Sequence, residues 1–485
     1  MKSYITKTDI KSYLQCPLKF YREFTNPSNV PKKDPYLQLL AKRGDKVGDI
    51  ARECYPEGVM VYEEKMPIKD LCEKTKNQTS TKLFEAGYLA KDLHVRVDMF
   101  IDREIIEVKS GSKLEDDYIE DAAIQLMVLN QAGIQVDKVS VWYINKKCEL
   151  PDLTNLFIKE DVTERAKALI PSLENTVEQI RALLKKSESP NEDIGPRCDS
   201  PYECPFKKEC YANKGVPEIS VLDIPRAGKR AWEYYKQGIF ELDKIDPTPF
   251  TALQRRMIDA HVSGENFLNL KNLVDTLDSW KFPFYFLDFE AMEYDFPGFA
   301  KTFPGQMLPF QASIHVWKSL NSPIEKVSEY LHKDNTDPRS SMASFLVKHI
   351  PLKGTVIAYN APFEVGKIKD LFKVSSEEEK AVLESLVTRF QDPLPLIRDS
   401  YYHPGFKGSY SIKTVAPALL GNEASYSHLE IQDGTAAVVA YKQYLLMKEG
   451  QEKDALETAL LAYCDKDTFV LAGILKFLYN LAYGK

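Results

Sequence analysis

The sequence predicts an α/β protein with two domains, each built around a mixed β-sheet. In both halves of the chain, apolar strand-like runs alternate with helical segments, and acidic residues interrupt those runs. A length of 485 residues fits two large domains or about three smaller ones. We expect one domain over residues 1–215 and another over 281–485, joined by a helical linker over 216–280.

Composition and charge are those of an ordinary globular protein, with 44% hydrophobic and 28% charged residues. No apolar run is long enough for a transmembrane helix, and the N-terminus lacks the apolar core of a signal peptide, so we expect a cytoplasmic protein without a membrane partner. The net charge of -7 provides no overall basic field for nucleic acid. Metal-dependent nucleases remain compatible with it, because bound cations offset their clustered carboxylates.

The first domain has a strand–strand–helix–strand order that indicates a mixed α/β core. Residues 94–101 and 104–109 read as strands, 117–131 as a helix that ends at Gly133, and 138–144 as a third strand. If the first two strands pair as a hairpin, the acids that they carry can meet across the pair.

Those strands contain Asp98 and the tripeptide Glu107-Val-Lys109. Two carboxylates and a lysine are suited to metal-dependent phosphodiester hydrolysis: the acids hold Mg²⁺ or Mn²⁺, and the lysine orients or stabilises charge. Glu-x-Lys alone is a weak signal, because it is also an ordinary charge pattern on an exposed strand. The residues by themselves leave both interpretations open.

Together with Gln125 on the following helix, these three residues resemble the PD-(D/E)XK nucleases of the RecB-like branch, which have a restriction-endonuclease-like fold. The resemblance implies that Gln125 faces the metal site. The chain departs from the family pattern in two places: Leu129 stands where a tyrosine is usual, and residues 44–49 offer no histidine. Glu85 is a candidate for a further carboxylate.

A regular cysteine spacing follows the first domain's core. Cys198, Cys204 and Cys210 are evenly spaced, and Cys16 is the candidate for a fourth ligand. This set resembles the iron–sulfur RecB-type exonucleases, which implies a 4Fe–4S cluster that staples the two ends of the domain; zinc is the alternative. The remaining cysteines are interpreted as ordinary thiols: Cys54, Cys72, Cys148 and Cys464.

The second domain is organised around residues 284–292, which read as a buried strand carrying Asp288 and Glu290. Strand side chains alternate, so both carboxylates point to the same face. Two adjacent buried carboxylates repel one another, and a divalent cation between them would relieve that cost. The alternative is an edge strand with two solvated acids.

Two later segments supply further candidates. Residues 355–360 read as a second buried strand, followed by Glu364 near the start of a helix that Pro362 opens. Tyr463 and Asp467 are four residues apart in a long helical pattern and therefore share one helix face.

These motifs resemble the DnaQ-like exonucleases, which are DEDD nucleases of RNase H-like fold, in their tyrosine variant. The resemblance implies two divalent ions held by Asp288, Glu290, Glu364 and Asp467. It also implies that Tyr463 orients the attacking water and that the site trims 3′ ends. One departure is Glu364, because this position usually carries aspartate.

Nearly the whole chain resembles a bacterial family in which an iron–sulfur RecB-like domain is fused to a DnaQ-like domain, with further matching segments at residues 309–315, 410–413 and 433–434. The resemblance implies a two-site metal-dependent nuclease acting on DNA with free ends, or on RNA. Two other functions stay open: a nucleic-acid-binding or scaffold protein with vestigial nuclease sites, and a metal hydrolase of another kind.

Overall fold

The chain forms two compact units that each combine helices with β-sheet, which confirms the α/β prediction. The computed structural model describes residues 2–31, 35–186, 188–294 and 298–484. The first unit runs to Gly215 and also takes in a short segment that ends at Pro304. The second unit runs from Val216 to Tyr294 and continues from Gly305.

In the described part of the first unit, seven strands form one mixed sheet. The strands are β1 (Ile5–Thr6), β2 (Val59–Met60), β3 (Lys82–Ala90), β4 (Leu93–Ile101), β5 (Glu104–Lys109), β6 (Lys138–Ile144) and β7 (Phe157–Asp161). The helices are α1 (Lys7–Gln15), α2 (Pro17–Thr25), α3 (Pro35–Arg52), α4 (Ile68–Lys76), α5 (Asp116–Gln131), α6 (Thr163–Lys185) and α7 (Lys207–Asn213).

The sheet order is β2-β3-β4-β5-β6-β7, and β1 pairs in parallel with β4. Because β3 occupies one edge of β4, β1 and β5 share the other edge: β1 pairs with the start of β4 and β5 with its end. Helix α5 contacts β3, β4, β5 and β6, and its residues 121–129 are all buried. The N-terminal segment is thus part of the sheet that carries the predicted acids.

The second unit has a five-stranded mixed sheet of order β11-β10-β9-β12-β13 and a two-stranded sheet of β8 and β14 within the described residues. Its strands are β8 (Phe267–Leu268), β9 (Phe284–Glu293), β10 (Met307–Trp317), β11 (Ile324–Leu331), β12 (Thr355–Ile357), β13 (Phe390–Gln391) and β14 (Tyr401–Tyr402). Its helices are α8 (Lys229–Lys236), α9 (Ala252–Ser263), α10 (Leu270–Ser279), α11 (Arg339–His349), α12 (Pro362–Leu371), α13 (Glu377–Val387), α14 (Pro393–Ser400), α15 (Ile412–Leu420), α16 (Gly434–Leu446) and α17 (Gln451–Tyr483).

Residues 216–280 contain the expected helices, but they belong to the second unit and form no separate linker. The reason is burial: Val221, Phe250, Leu273 and Trp280 join the same hydrophobic core as Phe284 at the start of β9. An apolar side chain buried in a core stabilises the fold by about 1.5–3 kcal/mol, so this segment contributes to the stability of the unit.

Among the described residues, no helix combines the length and the apolar character needed to cross a membrane.

Candidate metal centres

Asp288 and Glu290 lie on β9, the central strand of the second unit's main sheet. Strand β10 pairs with β9 along its length, whereas β12 pairs only with Phe284 to Phe286. Both acids therefore lie beyond the part of β9 that has a strand on each side. Their two-residue spacing puts them on one face of the sheet.

That face is covered by helix α17, which polar side chains of β10 hold in place. Gln311, Ser313 and His315 alternate along β10 and so share a face with the acids. Gln311 donates to the carbonyl of Leu460 at 2.6 Å, and the side chains of Ser313 and His315 both lie 2.9 Å from the hydroxyl of Thr468. These buried hydrogen bonds place the middle of α17 against β9.

The result is a compact group of three acids: Asp288, Glu290 and Asp467 each offer a carboxylate oxygen within 4.8 Å of the others. Glu290 is 9% exposed and Asp467 is 6% exposed. A hard divalent cation prefers such oxygen ligands. The predicted convergence of β9 with the last helix is therefore present in the structure.

Glu364 lies near this group but outside its 4.8 Å limit. It is in the first turn of α12 and buried, and its Oε2 atom has no hydrogen-bond partner among the described residues. The preceding turn contains Asn360 at φ +66, whose backbone N–H and that of Ala361 donate to the two carboxylate oxygens of Asp392. Asp392 in turn caps α14, which fixes the turn from which Glu364 projects.

These carboxylates are crowded, and among the described cations Lys413 acts on Glu290 and Asp467 without forming an ion pair with them. No lysine or arginine of the described chain forms an ion pair with any of the four. Burial, followed by repulsion from the other acids, raises the pKa of Asp288 far above its usual range. Burial also raises the pKa of Glu290 and of Glu364 to about 8, and that of Asp467 to about 6. Bound cations would remove this repulsion.

Two tyrosines flank Asp467. The Tyr426 hydroxyl donates to Asp467 Oδ1 at 2.5 Å, and hydrogen bonds from Tyr426 and Tyr463 oppose the effect of burial on the pKa of Asp467. Tyr463 was predicted from its spacing. Tyr426 was not, because it lies in an irregular segment with no periodic pattern to mark it. Cys464, interpreted as an ordinary thiol, is buried with its sulfur 3.8 Å from Asp288 Oδ2.

In the first unit, Asp98 and Glu107 face one another at the end of the β4–β5 pairing. The Asp98 carboxylate accepts a hydrogen bond from the backbone N–H of Val108 at 2.9 Å. Lys109 forms an ion pair with Glu107 at 2.8 Å, and the Gln125 side-chain amide donates to Glu107 Oε2. All four predicted residues of this site are therefore close together.

The structure adds Lys7, which the sequence analysis missed. Its ammonium lies 2.8 Å from Glu107 Oε1, so two lysines contact the same carboxylate oxygen. The position follows from the pairing of β1 with β4, because Lys7 directly follows β1 and begins α1. Asp121 on α5 is a second missed residue: it accepts from Lys109 and pairs with Lys11 at 2.9 Å.

The pKa values of the two acids of the first unit are shifted in opposite directions. Burial and the charge of Glu107 raise the pKa of Asp98 to about 7. Burial opposes ionisation of Glu107 as well, but the ammonium groups of Lys109 and Lys7 outweigh it and hold the pKa of Glu107 well below its usual range. Glu107 is thus a charged carboxylate that already pairs with cations of the protein.

Glu85 lies on β3 between residues that pair with Val97 and Met99, and so opposite Asp98. Its carboxylate is engaged by Arg52 at 3.0 Å and Arg96 at 2.7 Å. In the described chain, Asp98 and Glu107 have no third acid, histidine or cysteine that completes a ligand group within 4.8 Å. The first-unit site is therefore less open to a metal ion than the second-unit site.

The predicted cysteine ligands come together in the first unit. Burial raises the pKa of Cys204 and of Cys210, and the nearby thiols of Cys16 and Cys198 add to both shifts. The backbone N–H of Cys204 donates to the carbonyl of Cys198 at 2.8 Å, which closes the loop between them. No three of these sulfurs fall among the described ligand atoms that lie within 4.8 Å of one another.

Gln15, directly before Cys16, holds that loop from the other end of the domain. Its side-chain amide lies 2.9, 3.1 and 2.8 Å from the carbonyl oxygens of Arg197, Ser200 and Tyr202. Helix α1 therefore joins the cysteine group to the acid site, since Lys7 begins the helix and Gln15 ends it.

One protein family matches part of the chain: a family described as Domain of unknown function (DUF2779) matches residues 285–411. The match includes Asp288, Glu290 and Glu364 and ends before Asp467. Curated proteins give no match to the chain.

Proposed function

We propose that the protein is a cytoplasmic, metal-dependent nuclease whose second unit is a 3′-5′ exonuclease acting on DNA, with RNA as the alternative substrate. One observation carries the proposal: four carboxylates, three of them buried and that of Asp288 half-buried, come together from β9, α12 and α17, and no described cation of the protein forms an ion pair with them. The five-stranded sheet with β9 at its centre is also the arrangement expected of an RNase H-like fold.

The ligand atoms suit Mg²⁺ or Mn²⁺. All are carboxylate oxygens, and Glu364 contributes a buried oxygen that has no hydrogen-bond partner among the described residues. Asp288, Glu290 and Asp467 would hold one ion, and Glu364 with Asp288 a second. Bound divalent ions lower the pKa of a bound water and offset charge on a phosphodiester.

The residues around the acids have separate tasks in this proposal. Tyr463, beside Asp467, orients the attacking water through its hydroxyl. Tyr426 fixes one oxygen of Asp467, which leaves the other oxygen to face the ion. Ser313 and His315 hold Thr468 and thereby keep α17 at the distance that the acids require.

In the first unit we propose a second nuclease site with Asp98 and Glu107 as metal ligands, Lys109 stabilising charge and Gln125 orienting Glu107. Here Lys7 must leave Glu107, or share it, when a cation binds. The same contact supports the alternative function, in which this site is vestigial and the unit binds nucleic acid, because Lys7 already supplies the charge that a metal ion would bring.

We further propose that Cys16, Cys198, Cys204 and Cys210 hold a 4Fe–4S cluster. Four thiols from both ends of the unit are the expected ligand set. A tetrahedral zinc ion with bonds of about 2.3 Å brings its sulfurs to about 3.8 Å from one another. In the described chain no three of these sulfurs lie within 4.8 Å of one another, so zinc stays the alternative and metal analysis distinguishes the two.

The test is degradation of end-labelled single- and double-stranded DNA and RNA with Mg²⁺ or Mn²⁺. Wild-type protein, Asp288→Ala and Lys109→Ala are compared. We expect Asp288→Ala to abolish 3′ trimming while the protein stays folded, and Lys109→Ala to keep it. Failure of the wild-type protein to degrade any of these substrates would contradict the proposal and favour the binding or scaffold function.

A further inference from the structure

Two segments that the proposed mechanism leaves unused meet beside Glu290. One contains Lys413 and the other contains Asp433 and Gly434. The Lys413 ammonium donates to the carbonyl of Gln432 at 2.8 Å, and a Cβ atom at Gly434 would lie 3.3 Å from Glu290 Oε2. The segment that anchors Lys413 therefore runs directly against one of the proposed metal ligands.

Lys413 also lies against the two tyrosines that flank Asp467. Its ammonium is 5.1 Å from the centroid of the Tyr463 ring and 5.4 Å from that of Tyr426. Both distances lie within the range in which a cation is attracted to an aromatic face. The lysine is thus fixed from two sides, by a carbonyl oxygen and by two rings.

At this position the ammonium forms no ion pair with the acids, although its charge acts on both Glu290 and Asp467 and opposes the rise of their pKa values. A lysine ammonium has three N–H donors, and Gln432 uses one of them. The residue is half-buried, so its charge is poorly compensated by water. A group of this kind is suited to bind an anion that arrives together with the metal ions.

We propose that Lys413 is a substrate-binding residue of the second-unit site, donating to a non-bridging oxygen of the phosphodiester that the four acids receive. The inference rests on the proposed function and specifies it further, because it names the residue that recognises the phosphodiester. A purely structural lysine would hold the Gln432 segment in place and make no contact with substrate.

The salt dependence of activity separates these two roles. Each phosphate that a protein neutralises on a single strand changes the slope of log K against log salt by about 0.7. We compare wild-type protein, Lys413→Gln and Lys413→Arg, measuring kcat and KM for 3′ trimming of single-stranded DNA between about 50 and about 200 mM KCl. Lys413→Gln should raise KM and reduce the magnitude of the salt slope by about 0.7. Lys413→Arg keeps the positive charge, so its salt slope should stay close to that of the wild-type protein.

The matched control is Lys318→Gln, which removes the same charge elsewhere in the unit. Lys318 pairs with Glu325 and follows Trp317, which is opposite Phe284 at the far end of β9 from Glu290. At about 3.3 Å per strand residue, it lies roughly 20 Å from the acids along the sheet. Its substitution should leave the slope unchanged.

A binding measurement distinguishes failure of this inference from failure of the proposed function. Fluorescence anisotropy of a 5′-labelled single strand, with Ca²⁺ in place of Mg²⁺, reports binding without requiring hydrolysis. If the wild-type protein does not trim 3′ ends but Lys413→Gln lowers the salt slope of binding, hydrolysis is refuted and the phosphate contact stands. An unchanged slope in Lys413→Gln, for trimming or for binding, overturns the contact. Absence of both trimming and binding in the wild-type protein overturns both proposals.

Discussion

At the scale of single residues, the carboxylate of Asp467 interacts with two tyrosines that lie in different parts of the chain. Tyr426 donates to its Oδ1 atom, whereas Tyr463 precedes it by one helical turn and also contacts it. The tyrosines therefore have different expected effects. In the proposed mechanism, Tyr463 acts on the attacking water, whereas Tyr426 acts through Asp467 as a metal ligand.

The first prediction compares Tyr463→Phe with Tyr426→Phe, each serving as the control for the other. Tyr463→Phe should lower kcat more than it changes KM, because it removes an interaction made during the chemical step. Tyr426→Phe should raise the Mg²⁺ concentration for half-maximal trimming by about 10- to 100-fold, as loss of a ligand's hydrogen-bond partner does at other metal sites. An effect of Tyr463→Phe confined to KM would refute its role.

The second prediction concerns pH. Burial raises the pKa of Glu290 and Glu364 from 4.5 to about 8, so the metal-free folded state holds more protons than the unfolded state between these values. The contribution of these two acids to the stability of the metal-free second unit should therefore be greatest below about pH 4.5 and should fall as the pH rises towards 8. For each acid, the free energy of unfolding should fall by at most about 1.4 kcal/mol per pH unit.

Urea denaturation in EDTA across this pH range, followed by a probe in the second unit, checks the expectation. Glu290→Gln should flatten the decline, and Mg²⁺ should stabilise the wild-type protein more at pH 8 than at pH 5. Equal stabilisation by Mg²⁺ at both pH values would contradict the account of a repelling acid cluster.

The sequence was sufficient to predict the acids of the second-unit site but not all of the residues that form hydrogen bonds with them. Asp288, Glu290, Tyr463 and Asp467 could be proposed because strand alternation and helix periodicity fix which side chains share a face. Tyr426 could not, because it reaches Asp467 from 41 residues away through an irregular segment. Local periodicity carries no information about such contacts.

At the scale of elements, the site depends on how helix α17 packs against strand β10. Thr468 is fully buried and its hydroxyl meets the side chains of both Ser313 and His315. Removing that hydroxyl leaves two buried polar groups without this partner, which costs about 1–3 kcal/mol. The same loss should loosen the helix next to Asp467.

The third prediction is therefore that Thr468→Val destabilises the second unit by about 1–3 kcal/mol and weakens Mg²⁺ binding. The matched control is Thr458→Val on the same helix, where an exposed hydroxyl donates only to the carbonyl of Asp454. Its effect should stay within about 0.5 kcal/mol. Equal unfolding free energies for both variants in denaturant titrations would refute this role of the buried hydrogen bonds.

The elements themselves were predicted unevenly. Strands β4, β5 and β6 agree closely with the expected residues because apolar residues recur along each of them. Strand β1 has only two residues and no pattern of its own. It exists because it pairs with β4, a tertiary contact that also explains why Lys7 escaped the sequence analysis.

At the scale of the whole molecule, the chain divides into two units with separate cores, and the cysteine group belongs to the first. The fourth prediction follows. Cys204→Ala should bleach any brown colour of anaerobically purified protein and destabilise residues 1–215 selectively, because the group links Cys16 to the cysteines near the end of the unit.

The second unit contains none of these ligands and should keep its 3′ trimming in Cys204→Ala. Metal analysis after anaerobic purification supplies the decisive comparison. Stoichiometric zinc without iron or acid-labile sulfide would refute the iron–sulfur cluster and indicate a zinc site. Absence of both metals would refute the cluster and the zinc site alike.

The central claim is that the second unit removes nucleotides from 3′ ends by means of its acid cluster. The most direct measurement follows 5′-labelled single-stranded DNA in Mg²⁺ with protein carrying Lys109→Ala, so that the first-unit site does not contribute. We predict a ladder of progressively shorter labelled products that disappears with EDTA and with the additional substitution Asp288→Ala. A ladder unchanged by Asp288→Ala, or internal fragments in place of a ladder, would contradict the account.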